Sequence, residues 1–274
     1  MGNVLTFKYA ISTAEEAPLS APILLTGSIS DNLITANKLG YNAIEIHTRP
    51  DEKIDFNSVR DTMATYNVRI SAIITGRLNT EGFCSLIDDR PYVMQAAMQG
   101  MYQYIDIAEK LNSDIVLGWV KGNVPAGKNR DKYLERLATN LDVLANYAGE
   151  RNVKIHAEVI NRYEVNIFTT GKETMDFIKN WCLDNVYVHL DTFHMNIEET
   201  NMLETIRYCK DKLGYFHVAD NTRSYPGSGQ LPFPAILKTL QDINYDGYLS
   251  VECLPGNNRE QTALSALKYL KSIE

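Results

Sequence analysis

Cysteine, histidine, excess positive charge and long apolar runs are all scarce in this 274-residue chain, and each scarcity closes off a class of function. The four cysteines, Cys84, Cys182, Cys209 and Cys253, form no C-x-x-C pair, so neither a thiolate zinc site nor a disulfide framework is expected. With no secretory leader ahead of them, a reducing cytoplasm is the expected compartment. Five histidines are too few for a cluster of several zinc ions at one mouth. A net charge of −7, with no basic run, leaves no footprint for a phosphate backbone, and nucleic acid is not expected as a partner. No apolar segment approaches the roughly 20 residues of a membrane span. The opening MGNVLT matches the myristoylation pattern literally, yet the residues after it already have the pattern of a buried strand, and lipidation is not expected.

What is present is a regular alternation. Short apolar stretches rich in β-branched and aromatic residues fall at Leu5 to Ser12, Asn42 to His47, Ile70 to Thr75, Asp114 to Trp119, Lys154 to Glu158, Val186 to Asp191, Tyr215 to Val218 and Tyr248 to Glu252. Such stretches read as strands covered on both faces. Between them lie helical patterns: Ser30 to Lys38, Pro91 to about Leu111, Asn129 to Glu150, Gly171 to Trp181, Asn201 to Lys212, Pro234 to Ile243 and Arg259 to Ile273. No side-chain motif recurs at a fixed period, which argues against a solenoid. The fold class is therefore α/β, a single (β/α)8 TIM barrel filling residues 1–274 as one domain, with 45% of residues hydrophobic to supply its core.

Four consecutive strand ends carry metal-ligand side chains: Glu158, Asp191, His217 and Glu252, at intervals of 33, 26 and 35 residues. One strand–loop–helix–loop unit has about this length, and barrels gather functional residues at the C-terminal mouth. Three carboxylates and one imidazole form a hard, mostly oxygen site, better suited to Mn²⁺, Mg²⁺ or Co²⁺ than to a structural zinc. Mn²⁺ is the expected ion, with Mg²⁺, Co²⁺ or Zn²⁺ as alternatives. Strand parity points His156 the same way as Glu158, and His189 the same way as Asp191, one layer deeper; each is either a partner that orients the ligands or a hydrogen-bonded interior histidine.

The stretch from His156 to Pro255, about a third of the chain, resembles the sugar epimerase branch of the xylose-isomerase-like barrel superfamily, the D-tagatose and D-psicose 3-epimerases and related 5-keto-L-gluconate epimerases. The strings EVINRYE, LDTFHMNIEE, HVADNTRSYPGSGQLPF and VECLP carry the resemblance, LDTFHMNIEE most specifically. It implies metal binding by Glu158, Asp191, His217 and Glu252, with Glu158 and Glu252 doubling as an acid/base pair. It implies substrate contacts at Glu164, His194 and Arg223, and a homodimer or homotetramer. The loop Asn221-Thr222-Arg223 departs from the acidic loop of some 3-epimerases and is closer to the keto-gluconate branch.

Inverting a carbinol beside a ketone needs two proton-transfer groups flanking the carbon, and two glutamates suit that role. The cis-enediolate between them needs a fixed electrophile, which a divalent ion chelated by the ketone and hydroxyl oxygens supplies. The expected substrate is a small sugar or keto-sugar acid. An aldose–ketose or sugar-phosphate isomerase, an endonuclease-type phosphodiesterase on the same fold and a nonenzymatic sugar-binding module are the competing readings. On spacing alone Arg223 is equally a solvated loop arginine, Glu164 equally a surface acid, and His194 a sugar contact or a loop histidine. Tyr9 and Trp119 are expected to pack in the barrel rather than wall the sugar. The PGSGQ turn is a weak candidate for phosphate.

Overall fold

The structure, a computed structural model, describes residues 6–274. Most of the MGNVLT string, and Leu5 of the first expected strand, lie outside the described residues. Eight parallel strands form the barrel: β1 (Lys8–Ala14), β3 (Ala43–His47), β4 (Arg69–Ile74), β5 (Asp114–Leu117), β6 (Ile155–Glu158), β7 (Val186–Asp191), β8 (Leu213–Val218) and β9 (Tyr248–Val251). They pair in that order, and β1 pairs with β9 to close the ring. A two-residue strand, β2 (Leu25–Thr26), pairs with Thr13 and Ala14 of β1, beyond the residues that meet β9.

Among the described residues ten α-helices accompany them: α1 (Ile29–Leu39), α2 (Phe56–Tyr66), α3 (Gly76–Thr80), α4 (Pro91–Leu111), α5 (Arg130–Gly149), α6 (Gly171–Asn180), α7 (Thr192–Glu198), α8 (Met202–Cys209), α9 (Phe233–Asp242) and α10 (Arg259–Ser272). Their starts are set by local chemistry. Ser28, Asp55, Thr170 and Asn258 each accept a hydrogen bond from a first-turn N–H of the helix that follows. Gly40 ends α1 at φ 89°, a left-handed cap that glycine adopts without strain.

Side-chain alternation sorts the apolar residues into two cores. A large one lies between strands and helices, and a small one, Ala72, Ile74, Val116 and Tyr215, lies inside the ring. That small apolar plug leaves the upper interior to polar groups.

All eight expected strands form, with shifted ends. The first runs Lys8–Ala14 rather than Leu5 to Ser12, and Leu213, not Tyr215, opens β8. Three expected C-terminal end residues leave the sheet: Thr75 turns into α3, Trp119 begins a one-turn 3-10 helix, Trp119–Lys121, and Glu252 follows the last strand. Helices α2, α3 and α7 went unassigned in the sequence. In α2 only Val59 and Met63 are buried, too sparse a stripe to show as a 3.6-residue period. Tyr9 packs as expected, buried at the closed end with its hydroxyl 3.4 Å from Glu274 Oε2. Trp119 does not: it is 38% exposed and lines the cleft at the barrel mouth.

Candidate metal centre and active site

Glu158 ends β6, Asp191 ends β7, His217 lies one residue from the end of β8, and Glu252 follows β9. All four are buried, and one ligand atom from each lies within 4.8 Å of the others. His217 Nδ1 stands 3.4 Å from Glu252 Oε2, 3.7 Å from Asp191 Oδ2 and 3.8 Å from Glu158 Oε1. These separations mostly exceed a hydrogen bond but match the edges of a tetrahedron, about 3.4 Å, around an ion whose ligands lie at about 2.1 Å. His217 Nδ1 is buried with no hydrogen-bond partner, and Asp191 Oδ2 meets only the Arg223 guanidinium, at 2.9 Å. A buried, unpartnered imidazole nitrogen facing three carboxylates fits a divalent cation.

Electrostatics divides the two glutamates. Burial pushes Glu158 up to about 8, with Glu252 and Asp191 adding to the rise and His217 and Lys121 opposing it. Burial works the same way on Glu252, but His217 and Arg223 outweigh it and hold that carboxyl below its ordinary range. His217 is raised well above the histidine range, because Glu45 and Glu252 override its burial.

Glu45, in the middle of β3, is a residue the sequence reading passed over. Fully buried, it sits 2.9 Å from His217 Nε2 and accepts the Tyr215 hydroxyl at 3.0 Å. A carboxylate on Nε2 turns Nδ1 toward the other three acids, the arrangement that orients histidine ligands in metal sites. The available signal was a lone acid inside the apolar run AIEIH. His47, two residues on, lies 3.6 Å from both Glu45 Oε1 and Glu252 Oε1.

Glu164, His194 and Arg223 come together on the same cleft. Asn161, also missed, links the first two: its buried amide nitrogen donates to Glu164 Oε1 at 2.8 Å and to His194 Nδ1 at 2.8 Å. Since Nδ1 accepts, His194 carries its proton on Nε2, which faces the Arg223 guanidinium at 3.4 Å. Burial, opposed by Asp191 and reinforced by Arg223, lowers His194 to about 4 and keeps it neutral. Trp119 donates its indole N–H to Glu164 Oε2 at 3.2 Å. Arg223 lies 2.9 Å from Asp191 Oδ2 and ion-pairs with Glu252, from a backbone held at φ 60°.

The interior histidines resolve differently. His156 Nε2 pairs with Asp114 Oδ2 at 3.0 Å, at the opposite end of the strands from the ligands, so it orients none of them. His189 stacks edge-on against the His217 ring, centroids 4.1 Å apart, and touches the ligand by packing alone. The PGSGQ turn folds onto a protein carboxylate instead of presenting its amides to an anion. Asp220 takes the N–H groups of Asn221, Gly227, Gly229 and Leu231 at 2.8 to 3.1 Å.

The sequence model of the Xylose isomerase-like TIM barrel family matches residues 33–273. The L-ribulose 3-epimerase of Methylomonas sp. (strain DH-1) is 30% identical over 220 residues, covering 79% of this chain and 75% of its own. The 3-dehydro-D-guloside 4-epimerase of Escherichia coli (strain K12) is 35% identical over 226 residues, covering 78% and 83%. A solved structure of 3-keto-D-glucoside 4-epimerase from E. coli, in its apo form, superimposes with a TM-score of 0.83 at 22% identity, over 97% of this chain and 100% of that one.

Proposed function

The chain belongs to the xylose isomerase-like TIM barrel family, and from that premise we propose that it is a divalent-metal-dependent carbohydrate epimerase. It inverts the carbinol carbon next to the carbonyl of a keto-sugar, the class that takes in ketoses and keto-sugar acids. The observation that carries this reading is the pair Glu158 and Glu252: two buried carboxylates that share one ligand cluster, line one cleft and come from strands three places apart in the ring.

Glu158, Asp191, His217 and Glu252 hold the ion, Mn²⁺ in the first instance. Bound there, it supplies fixed positive charge for the sugar's carbonyl and adjacent hydroxyl oxygens, where charge develops as the C–H proton leaves. One glutamate removes that proton and the other returns one to the opposite face, exchanging roles in the reverse direction through a cis-enediolate. His194 offers Nε2–H to a sugar oxygen, with Asn161 fixing that tautomer. Arg223 adds a planar fork of donors, and Glu164, braced by Asn161 and Trp119, accepts from sugar hydroxyls. The whole chain acts as one barrel domain in the cytoplasm; among the described residues no helix is long and apolar enough to cross a membrane.

Turnover of keto-sugars by the metal-loaded protein in D₂O, followed by proton NMR, tests the reading. The product expected is an epimer with deuterium at the inverted carbon and no aldose. Aldose accumulating with label at C1 or C2 moves the assignment to an aldose–ketose isomerase.

A further inference from the structure

The ligand cluster has a second face. Glu45 and His47 stand two residues apart on β3, so strand alternation turns both side chains the same way, into the ring, with His47 at the mouth. Strands β3 and β9 flank β1, and Glu252 follows β9 at the same end of the barrel. His47 Nε2 therefore meets two acids at once, 3.6 Å from Glu45 Oε1 and 3.6 Å from Glu252 Oε1. Neither oxygen is the one turned to His217. That ring meets Glu45 through Oε2 at 2.9 Å and Glu252 through Oε2 at 3.4 Å. One ligand atom each from Glu45, His47 and Glu252 lies within 4.8 Å of the other two.

Hydrogen bonding does not account for this arrangement. The separations exceed the roughly 2.7 to 3.2 Å of an N–H···O bond. A single Nε2–H can aim at only one acceptor, yet the nitrogen stands equally far from both carboxylates. Glu45 is fully buried, and neither its Oε1 nor the buried His47 Nε2 has a hydrogen-bond partner. Rotation of the carboxylate cannot relieve this. Its Oε2 is held by His217 and by the Tyr215 hydroxyl at 3.0 Å, and that hydroxyl is itself 2.7 Å from Ser71 Oγ. The free oxygen is thus aimed at His47 by the same contacts that orient His217.

A buried carboxylate oxygen with no donor calls for a positive partner. The two 3.6 Å separations are close to the edge of a tetrahedron around an ion whose ligands lie at about 2.1 to 2.2 Å.

We infer that Glu45, His47 and Glu252 form a second divalent-cation site, bridged to the first by the two oxygens of Glu252. This rests on the metal reading of the first site. Two carboxylate oxygens and an imidazole nitrogen suit a first-row ion such as Mn²⁺ or Zn²⁺ better than Ca²⁺. Three protein ligands leave a position open, and His47 and Glu252 both line the cleft, so water or a substrate oxygen completes the shell. A pair of ions needs only two of the chain's five histidines here, because carboxylates supply the other donors. The first site, with four protein ligands, fills first; the second, with three and one of them shared, fills at higher metal concentration.

The test is a titration of the full chain, stripped with EDTA, with Mn²⁺. Equilibrium dialysis counts bound ions, electron paramagnetic resonance reads coupling between them, and circular dichroism confirms folding. Wild type is expected to bind two equivalents, the second more weakly. As the second fills, the spectrum of an isolated ion should give way to that of a spin-coupled pair, since one carboxylate joins the two. His47→Ala and the ring-sized His47→Phe should each bind one equivalent, show no coupled spectrum and keep the affinity of the first site within about threefold, because His47 is not a ligand there. One equivalent in wild type overturns the inference and leaves the first site standing, whereas no binding at all sinks both readings. Two equivalents in a folded His47 variant, or two uncoupled ions in wild type, place the second ion elsewhere and overturn the inference as well.

Discussion

Replacing Glu45 by glutamine tests whether the metal centre is organised from behind. In the structure Glu45 Oε2 lies 2.9 Å from His217 Nε2 and 3.0 Å from the Tyr215 hydroxyl, and it is fully buried. An amide of the same shape can still accept one hydrogen bond, but it removes the negative charge that keeps His217 basic and its Nδ1 directed at Glu158, Asp191 and Glu252. Loss of such a partner typically weakens metal binding by roughly 10- to 100-fold, about 1.4 to 2.7 kcal/mol. Tyr215→Phe is the control. The tyrosine hydroxyl is also 2.7 Å from Ser71 Oγ and does not touch His217 through a hydrogen bond, so its loss should leave metal affinity within about threefold. Competition between each purified variant and a chelator of known Mn²⁺ affinity reads the effect directly, with far-ultraviolet circular dichroism to confirm folding. Wild-type affinity in folded Glu45→Gln would show that His217 needs no orienting partner, and the argument from buried geometry would be wrong.

Other consequences can be measured on the same preparations. Glu158→Gln and Glu252→Gln should each keep the fold and lose turnover by roughly 10²- to 10⁴-fold; near wild-type kcat in either removes that residue from proton transfer. Glu158 at about 8 and His217, held well above the histidine range, are both protonated at pH 7 in the metal-free protein, yet ligands bind as deprotonated groups. Metal affinity should therefore climb with pH through about 8, with proton release visible by calorimetry in buffers of different ionisation enthalpy. Both pKa values are raised over the unfolded ones, so their stabilising contribution is complete at low pH and is lost as pH rises through the folded values. Thermal melts in EDTA should fall from pH 6 to 9 and the gain on adding metal should grow; a flat metal-free profile would contradict the shifts. Asn161→Leu breaks two 2.8 Å bonds at once and should raise KM by about tenfold with a smaller change in kcat, while the ¹⁵N shifts of His194 lose their fixed-tautomer signature.

The strands were legible because each is short, apolar and covered on both faces, and the gathering of Glu158, Asp191, His217 and Glu252 because a strand end in a barrel is a defined place. Alternation along a strand gave the correct face for His156 but not its depth, and depth decides function: two residues below Glu158 it meets Asp114 at the far end of the ring. Glu45 was hidden for the converse reason. A single acid in AIEIH has no partner nearby in sequence, and its meaning comes from His217, 172 residues away. Trp119 closes an apolar run that reads as strand, but the chain turns one residue earlier, at Gly118, where a Cβ would approach Glu158 Oε2 to 2.9 Å. The room that glycine leaves for the carboxylate at this turn is invisible in one dimension, and the tryptophan that follows it stands in the cleft.

The placement of Arg223 shows how much of such a site is built by residues that never meet substrate. A non-glycine residue at φ 60° costs on the order of 1 to 3 kcal/mol. The loop absorbs that strain because Asp220, buried at its base, accepts four backbone N–H bonds, and bonds to a charged acceptor contribute roughly 1.5 to 3 kcal/mol each. The same residue's carbonyl accepts the Arg223 N–H at 2.9 Å, and the Arg223 carbonyl accepts Leu254 N–H at 2.7 Å, just past Glu252. Both ends of the strained peptide are thus pinned to segments that carry the site. Neither glycine of PGSGQ is free to change: a Cβ at Gly229 would stand 2.4 Å from Asp220 Oδ1, and Gly227, at φ 88°, backs onto the Tyr269 ring. A turn that resembles an anion cradle in sequence has closed around the protein's own anion, and the guanidinium it aims lies between Asp191 and Glu252, where a sugar oxygen beside the ion would need a donor.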